Sequence, residues 1–504
     1  MAHSKKFFLL FFFILVLNLS AQSTFYVDPV NGNDSNSGTI DQPFKTISKG
    51  LTAIGSNGTL YLRSGIYFSP SKISLSKVGQ ANNSIKVWAY PGEKPIVDFT
   101  GNGSSDGFSI SGSYYHIKGL EIKKAGHNGI NISGHHNLIE NCCVYSNGNT
   151  GVHMGSSSSQ ANPSYNLVLN CDSYFNFDSP QGGNADGFSA KWNVGQGNVF
   201  RGCRSFNNSD DGWDLWMCTA TITIDSCFAF RNGVDIWHTG QVDGNGNGFK
   251  LGGNYVATPH IVKNCLAFDN AGNGGKGFDE NNNTAGQTIY NCTSFRNKND
   301  NFHFTNTLVE GQHIFKNNIS FQGNYSITSG IQEKNSWQGF TVTTSDFMSI
   351  DTSGVTERRD KNGLLPKSDF LRLNATSLLV DAGVDVGIPF TGIAPDLGAF
   401  EYGMTMPTNV ESSNQIPDEF LLEQNYPNPF NPVTTISYQI PADGHVELKV
   451  FDLLGREVAS LVNSDQAKGK YRIKFDGSNF SSGIYFYQLR TSNFVGTKKL
   501  LILK

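Results

Sequence analysis

NCDSYFN, at residues 170–176, is one copy of a heptapeptide that recurs as NCCVYSN (141–147), GCRSFNN (202–208), SCFAFRN (226–232), NCLAFDN (264–270) and NCTSFRN (291–297). A further copy, NNISFQG (317–323), carries Asn318 where the others carry cysteine. The repeat cysteines Cys142, Cys171, Cys203, Cys227, Cys265 and Cys292 are spaced by 29, 32, 24, 38 and 27 residues. A fixed motif at variable intervals is what a β-solenoid writes into its sequence, because coils stack in register while loops vary in length. Five residues after each cysteine stands an asparagine: Asn147, Asn176, Asn208, Asn232, Asn270 and Asn297. This spacing predicts an asparagine ladder, in which inward amides at a turn bond to one another and to the backbone.

Eight cysteines in an exported chain ordinarily suggest disulfides. Here six of them stack one per coil on an inner face, where cysteine behaves as a small apolar residue, and in-register parallel neighbours aim their Cβ atoms poorly for bridging. Mostly free, buried thiols are expected, with Cys143 and Cys218 outside the column and unassigned.

The 504 residues exceed a single ordinary core, so more than one domain is expected. With 55 Gly, 37 Phe, 18 Tyr and only 16% charged residues, the composition favours an all-β architecture without long helices. A formal net charge of -4 gives no broad basic surface for nucleic acid or an anionic membrane. Lys5 and Lys6 precede an apolar run from Phe7 to Leu17, and Ser20-Ala21 offers a small-residue cleavage site, so residues 1–21 read as a signal peptide. The run is shorter than the roughly 20 residues of a membrane span, and no stable span is expected. An amphipathic helix from 43 to 54, with Phe44, Ile47, Leu51 and Ile54 on one face, would cap the open end of the solenoid. The loop from Asp28 to Asp34 has calcium-loop composition, which is also that of a plain Asn/Asp/Gly turn.

A second column interleaves with the cysteines: DGFSI, NGINI, TGVHM, DGFSA, DGWDL, NGFKL, KGFDE and DNFHF, starting at 106, 128, 150, 186, 211, 247, 276 and 300. Strand alternation turns the aromatic inward and its neighbours outward. Equivalent residues on successive coils lie about 4.8 Å apart. Asp186, Asp211, Asn247 and Lys276 therefore make one outward row, and Ser189, Asp214, Lys250 and Asp279 the next. With Asp210, this gathers four carboxylates and the Lys250 ammonium on adjacent rungs. Four carboxylates so close repel one another unless a cation neutralises them. Calcium, a hard ion taking 6 to 8 oxygens, suits Asp186, Asp210, Asp211 and Asp214. No His/Cys set has zinc spacing.

Asp186, then Asp210-Asp211-x-x-Asp214, then Lys250, in DGF, DGWD and GFKLGG contexts, resembles the polysaccharide lyase family nine pectate lyases. The resemblance runs from about Thr24 to Tyr402, including the closing VDAGVDVG and APDLGAFEY. It implies a right-handed parallel β-helix, of on the order of ten coils, that cleaves polygalacturonate (pectin) by β-elimination. Position by position, it makes Asp186, Asp210, Asp211 and Asp214 calcium ligands and Lys250 the acceptor of the C5 proton. Calcium bridging the uronate carboxylate would acidify that proton, and a lysine acts as base only when neutral, so an alkaline optimum is expected. Lys276, Arg231 and Arg296, on outward rows, are candidates to hold further substrate carboxylates. His238 and His303 lack evident catalytic partners and are expected to be solvated or hydrogen-bonded. VDGNGNGF (242–249) reads either as a calcium loop or as a tight turn before the Lys250 strand.

Beyond the catalytic segment 22–402, residues 403–416 form a polar, Pro-bearing linker. Residues 417–504 alternate hydrophobics with turn signals, giving six or seven short strands of a small β-sandwich. NYPNPFNP, FDLLGREV and SSGIYFYQL make it similar to the C-terminal sorting domain of the type nine secretion system, which implies export through that machinery. A small carbohydrate-binding module is the alternative. Three other functions remain compatible with the residues: a lyase on another uronate-bearing polymer, an inverting glycoside hydrolase using Asp186, Asp210 and Asp211, which leaves Lys250 without a task, and a calcium-stabilised adhesin. A monomer is expected.

Overall fold

The computed structural model describes residues 24–157, 161–240, 242–360, 363–404, 420–425, 428–441, 444–466 and 468–503. The expected signal peptide and most of the expected linker lie outside them. The chain divides into two compact units, Met1–Met406 and Pro407–Lys504.

The first unit is a parallel β-helix of three sheets, with 12, 10 and 10 strands, each coil visiting the first, second and third sheet in turn. The heptapeptide marks the bend into the second sheet. Its first residue takes the left-handed conformation in coil after coil: Asn141 (φ 54°), Asn170 (φ 51°), Gly202 (φ 64°), Ser226 (φ 56°), Asn264 (φ 55°) and Asn291 (φ 49°). Asn and Gly tolerate this region best, which explains the residue preceding each cysteine. A second left-handed residue stands before each ladder asparagine, at Ser146, Phe175, Asn207, Arg231, Asp269 and Arg296. Every rung thus turns at two fixed points, and the stack keeps register.

Both expected columns face inward. The six repeat cysteines are buried, all eight cysteines are free, and the Cys142, Cys203 and Cys227 amides each donate to the sulfur of the next rung at 3.4 Å. The ladder runs from Asn147 through Asn176, Asn208, Asn232 and Asn270 to Asn297, with Nδ2 to Oδ1 distances of 2.9, 2.8, 2.9, 3.0 and 2.9 Å. A second inward ladder at the bend into the first sheet mixes side-chain types. Asn137, Asn166, Asn198, His260, Gln287 and His313 each accept a backbone N–H from the rung before. Ile222 interrupts it between Asn198 and His260, and the change from Asn to His and Gln beyond that rung leaves no repeated residue in the sequence.

Inside the third sheet Phe188, Trp213, Phe249, Phe278 and Phe302 stack at centroid distances of 4.8, 4.8, 4.9 and 5.0 Å. Each such pair contributes roughly 0.5–1.5 kcal/mol beyond area burial. Outside the second sheet, Phe206, Phe230, Phe268 and Phe295 form a core with Phe347, Phe370, Leu379 and Phe400 of the segment that follows the last coil.

The capping helix is shorter than expected, Ile47–Ala53, because the Thr46 hydroxyl accepts from Lys49 N and caps it there. Phe44 instead bridges to Val27 in extended backbone and is buried. In the loop before it, Asp28 and Asp34 spend carboxylate oxygens on backbone N–H groups of Val30, Asn31, Lys45 and Thr46, the economy of a plain turn. The second unit holds a three-stranded and a four-stranded antiparallel sheet around Ile436, Leu448, Tyr487 and Leu489. Among the described residues no helix is long and apolar enough to cross a membrane.

Candidate active site

The register of the third sheet sets the site. Phe188 pairs with Trp213, then Phe249 and Phe278, and beside them Ser189, Asp214, Lys250 and Asp279 stand in line. Two residues before the aromatic on each rung come Asp186, Asp211, Asn247 and Lys276. Spacing along the chain is thereby converted into adjacency across rungs, as the sequence implied.

The side chains point away from the helix interior yet are buried: Asp186 and Asp211 are 0% exposed, Asp214 2%, Asp210 3% and Lys250 8%. The cover is the turn at 242–248. Its backbone donates to the carboxylates, Asn245 N to Asp210 Oδ1 at 2.6 Å and Asn247 N to Asp211 Oδ1 at 2.7 Å. Its Asn245 Oδ1 accepts from Lys250 Nζ at 3.1 Å. VDGNGNGF is thus a tight turn that closes over the acidic cluster.

Asp186, Asp210, Asp211 and Asp214 each offer a carboxylate oxygen within 4.8 Å of the others. A cation with oxygens at about 2.4 Å spans a donor cage of that diameter. Asp211 Oδ2 is buried without a hydrogen-bond partner, although Lys250 Nζ lies 3.0 Å away off the hydrogen-bonding direction. Four carboxylate donors this close, with no nitrogen or sulfur ligand among them, suit a hard divalent ion such as calcium.

A cation the sequence reading passed over completes the cluster. Lys191 Nζ lies 2.9 Å from Asp186 Oδ2 and 2.7 Å from Asp214 Oδ2. Its strand, Phe188–Trp192, is longer than the two-residue strands Trp213–Asp214 and Phe249–Lys250, and the extra length carries Lys191 over the carboxylates. Outward parity from Ser189 was the available signal; strand length was not.

Burial and mutual repulsion set the protonation. Burial, together with the neighbouring Asp214 and Asp211, pushes Asp186 up to about 7, against the pull of Lys191. Burial likewise raises Asp211 to about 6, with Lys250 opposing, and raises Asp210 well above the usual carboxylate range. At Asp214 burial acts upward too, but Lys191 and Lys250 outweigh it and hold the group below its ordinary value. Burial would depress Lys250, yet Asp211, Asp214, Asp210 and Asp186 together hold it well above its ordinary value.

The cluster opens into a groove of about 650 Å³ lined by Asn131, His153, Lys191, Trp192, Trp216 and Lys250 among others. Lys276 continues the Asp211 row one rung beyond Asn247, its Nζ 3.1 Å from Asp279. Arg231 and Arg296 do not come to this groove. Both occupy left-handed positions at the bend after the second sheet, where Arg231 bonds Thr352 at 3.1 Å and Arg296 pairs with Asp269 at 2.6 Å. His303 pairs with Asp300 at 2.7 Å, and His238 is exposed with a left-handed backbone (φ 57°).

Residues 25–336 match the family described as "Pel9A-like, right handed beta helix region". The chain belongs to the Pel9A-like family of pectate lyases. Pectate lyase L of Dickeya dadantii is 38% identical over 402 residues, covering 77% of this chain and 92% of that protein. Pectate lyase L of Paenibacillus polymyxa is 40% identical over 393 residues, covering 73% and 85%. Among solved structures, the Pel9A-like unit resembles pectate lyase Pel9A with a TM-score of 0.71 at 38% identity, covering 76% of this chain and 97% of that one. A rhamnogalacturonan lyase follows at TM-score 0.63 and 29% identity, covering 70% and 97%. Residues 424–503 match the "Secretion system C-terminal sorting domain", which indicates export of this Pel9A-like lyase.

Proposed function

We propose that this chain is an exported calcium-dependent lyase that cleaves 1,4-linked polygalacturonate by β-elimination. In this reading residues 1–21 are a signal peptide, 22–402 the catalytic unit, 403–416 a linker and 417–504 the sorting domain. Asp186, Asp210, Asp211 and Asp214 hold the ion and Lys250 takes the C5 proton. The observation that carries it is the placement of a buried lysine 3.0 Å from Asp211 on the rim of a four-carboxylate cage that opens into a groove.

When bound, calcium supplies charge withdrawal from the uronate carboxylate and hence from the adjacent C5–H bond. The protein's own residues do the rest. Asp214 Oδ2 at 3.4 Å and Asn245 Oδ1 at 3.1 Å fix the direction of Lys250 Nζ. The 242–248 turn excludes water from the carboxylates and, through two backbone N–H groups, holds Asp210 and Asp211 in place. Lys250 accepts the proton from its neutral form, so the rate climbs toward alkaline pH. Lys191, between Asp186 and Asp214, balances cage charge from the groove side. The C5–H electron pair becomes the C4–C5 double bond as the C4–O bond breaks, and the departing oxygen takes a proton from solvent to become the hydroxyl of the new reducing end.

Incubating purified protein with polygalacturonate, with calcium and with chelator, tests this. Ultraviolet-absorbing unsaturated ends formed only with calcium are expected. Reducing ends without unsaturation would mean hydrolysis, and stabilisation by calcium without products would mean an adhesin.

A further inference from the structure

Two outward rows of the third sheet change character on adjacent rungs, one beyond Asp214 and the other beyond Lys191. Toward the C-terminal coils the row through Asp214 continues as Lys250 and Asp279; toward the N-terminal coils it continues as Ser189, His153 and Asn131. The row through Lys191 continues as Gly155 in register and then Ser133. The groove therefore has an ionic half and an uncharged half, meeting beside the cage.

The uncharged half is built as a shelf. Gly155 leaves its floor open, and it must be glycine, because φ is 137° and a Cβ would stand 2.0 Å from Lys191 O. Trp192 forms the wall, its ring 5.7 Å from that of His153 and 6.2 Å from that of Trp216. Its backbone is left-handed (φ 61°), a conformation unusual for a bulky residue and sustained here by the surrounding packing. His153 gives Nδ1 to a hydrogen bond with Ser189 Oγ at 2.8 Å, and burial pushes its imidazole down to about 3, so it is neutral. Asn131 donates Nδ2 to Asp106 Oδ2 at 2.8 Å, while its Oδ1 is buried without a partner.

Asp106 is tied up by its contacts with His127 Nδ1 and Asn131 Nδ2, both at 2.8 Å, and Lys191 is committed to Asp186 and Asp214. Among the described residues lining this half, none offers an unpaired cation to a carboxylate. A uronate seated there would be desolvated without compensation, which a polar but uncharged ring avoids. Aromatic walls with a few amide and hydroxyl groups are the chemistry that seats a pyranose.

We infer that the shelf formed by Asn131, Ser133, His153, Gly155 and Trp192 is a subsite for an uncharged sugar ring, next to the galacturonate held at the acidic cage. The ring stacks on Trp192, with Asn131, Ser133 and His153 beside it in the groove lining. The inference rests on the lyase reading above. Two sources share this chemistry: a methyl-esterified galacturonate, or a neutral sugar interleaved in the backbone.

Three probes separate them: fully acidic oligogalacturonate, partly methyl-esterified oligogalacturonate, and an oligosaccharide alternating galacturonate with a neutral deoxyhexose. Unsaturated product is followed for each with calcium. The wild type should process at least one of the two mixed probes with kcat/KM no lower than the acidic one, and the probe preferred names the source. Ser133→Lys, which adds a cation to the shelf, should shift that ratio about tenfold toward the acidic probe. Trp192→Ala should raise KM for the preferred mixed probe about tenfold while leaving kcat nearly intact. A wild type favouring the acidic probe by more than tenfold overturns the subsite, as does an equal loss on all probes in both variants. Absence of unsaturated product from every probe removes the lyase reading and the subsite with it.

Discussion

Asp214 Oδ2 lies 2.7 Å from Lys191 Nζ and 3.4 Å from Lys250 Nζ, so one carboxylate oxygen is shared by two ammonium groups. The same Lys191 also reaches Asp186 at 2.9 Å, which makes it a competitor for two of the four carboxylates that fit a cation. Lys191→Met removes that competition and one positive charge from the cage. Calcium affinity measured by titration calorimetry should tighten by about tenfold, the scale of one close charge interaction. A loosening instead would mean that the lysine organises the carboxylates more than it opposes the ion.

Lys250 and Asp211 separate base from metal site. Lys250→Ala should lower kcat by about 10²–10⁴, the usual worth of a positioned proton acceptor, with calcium affinity retained. Lys250→Arg should not rescue it, because a guanidinium does not deprotonate. Asp211→Ala should weaken calcium binding and recover part of its activity at high calcium. A Lys250→Ala enzyme keeping more than about a tenth of wild-type turnover at saturating calcium and alkaline pH would exclude Lys250 as base.

The raised carboxylates give a pH dependence with a definite sign. Asp186 at about 7 and Asp211 at about 6 bind protons more tightly in the folded chain than at the ordinary value near 3.9. Their contribution is fully present below about pH 4 and is lost as pH rises through 6–7. Calcium binding needs the same groups deprotonated, so the increase in Tm produced by calcium over chelator should grow between pH 4.5 and 7.5. At a hundredfold excess over Kd the ion adds about 2.7 kcal/mol. An increase that is flat across this window would mean that these carboxylates are already ionised without the ion.

The ladders set stability rather than chemistry. Asn208 is 0% exposed and links Asn176 to Asn232. Asn208→Ala should cost about 1–3 kcal/mol by leaving buried partners unpaired, seen as a lower denaturation midpoint. Titration of the denatured, unreduced protein should find all eight thiols. Recovery of fewer than half would contradict the stacked, unbridged column.

Deletion of the unit Pro407–Lys504 tests the division of labour. The truncated chain should keep lyase activity and fail to leave its host. Loss of activity in a folded truncation would assign the sorting unit a part in substrate binding.

How much was legible follows from the geometry of stacking. The cysteine column, the asparagine ladder and the row of Asp186, Asp211 and Asn247 were fixed by sequence alone, because a rung about 4.8 Å high turns a repeated motif into a spatial line. Asp214 and Lys250 were legible for the same reason. What the sequence left open depends on how far each strand runs and what folds over it. Lys191 reaches the cage only because its strand continues to Trp192, and the carboxylates are buried only because the 242–248 turn lays its N–H groups on them. Arg231 and Arg296 share outward polarity with Lys276, yet their left-handed backbone puts them at another bend, beside Thr352 and Asp269. Repeat spacing determines which rung a residue occupies; the bend it sits on, the length of its strand and the loop that covers it are decided by contacts between segments far apart in the chain, which only the folded structure brings together.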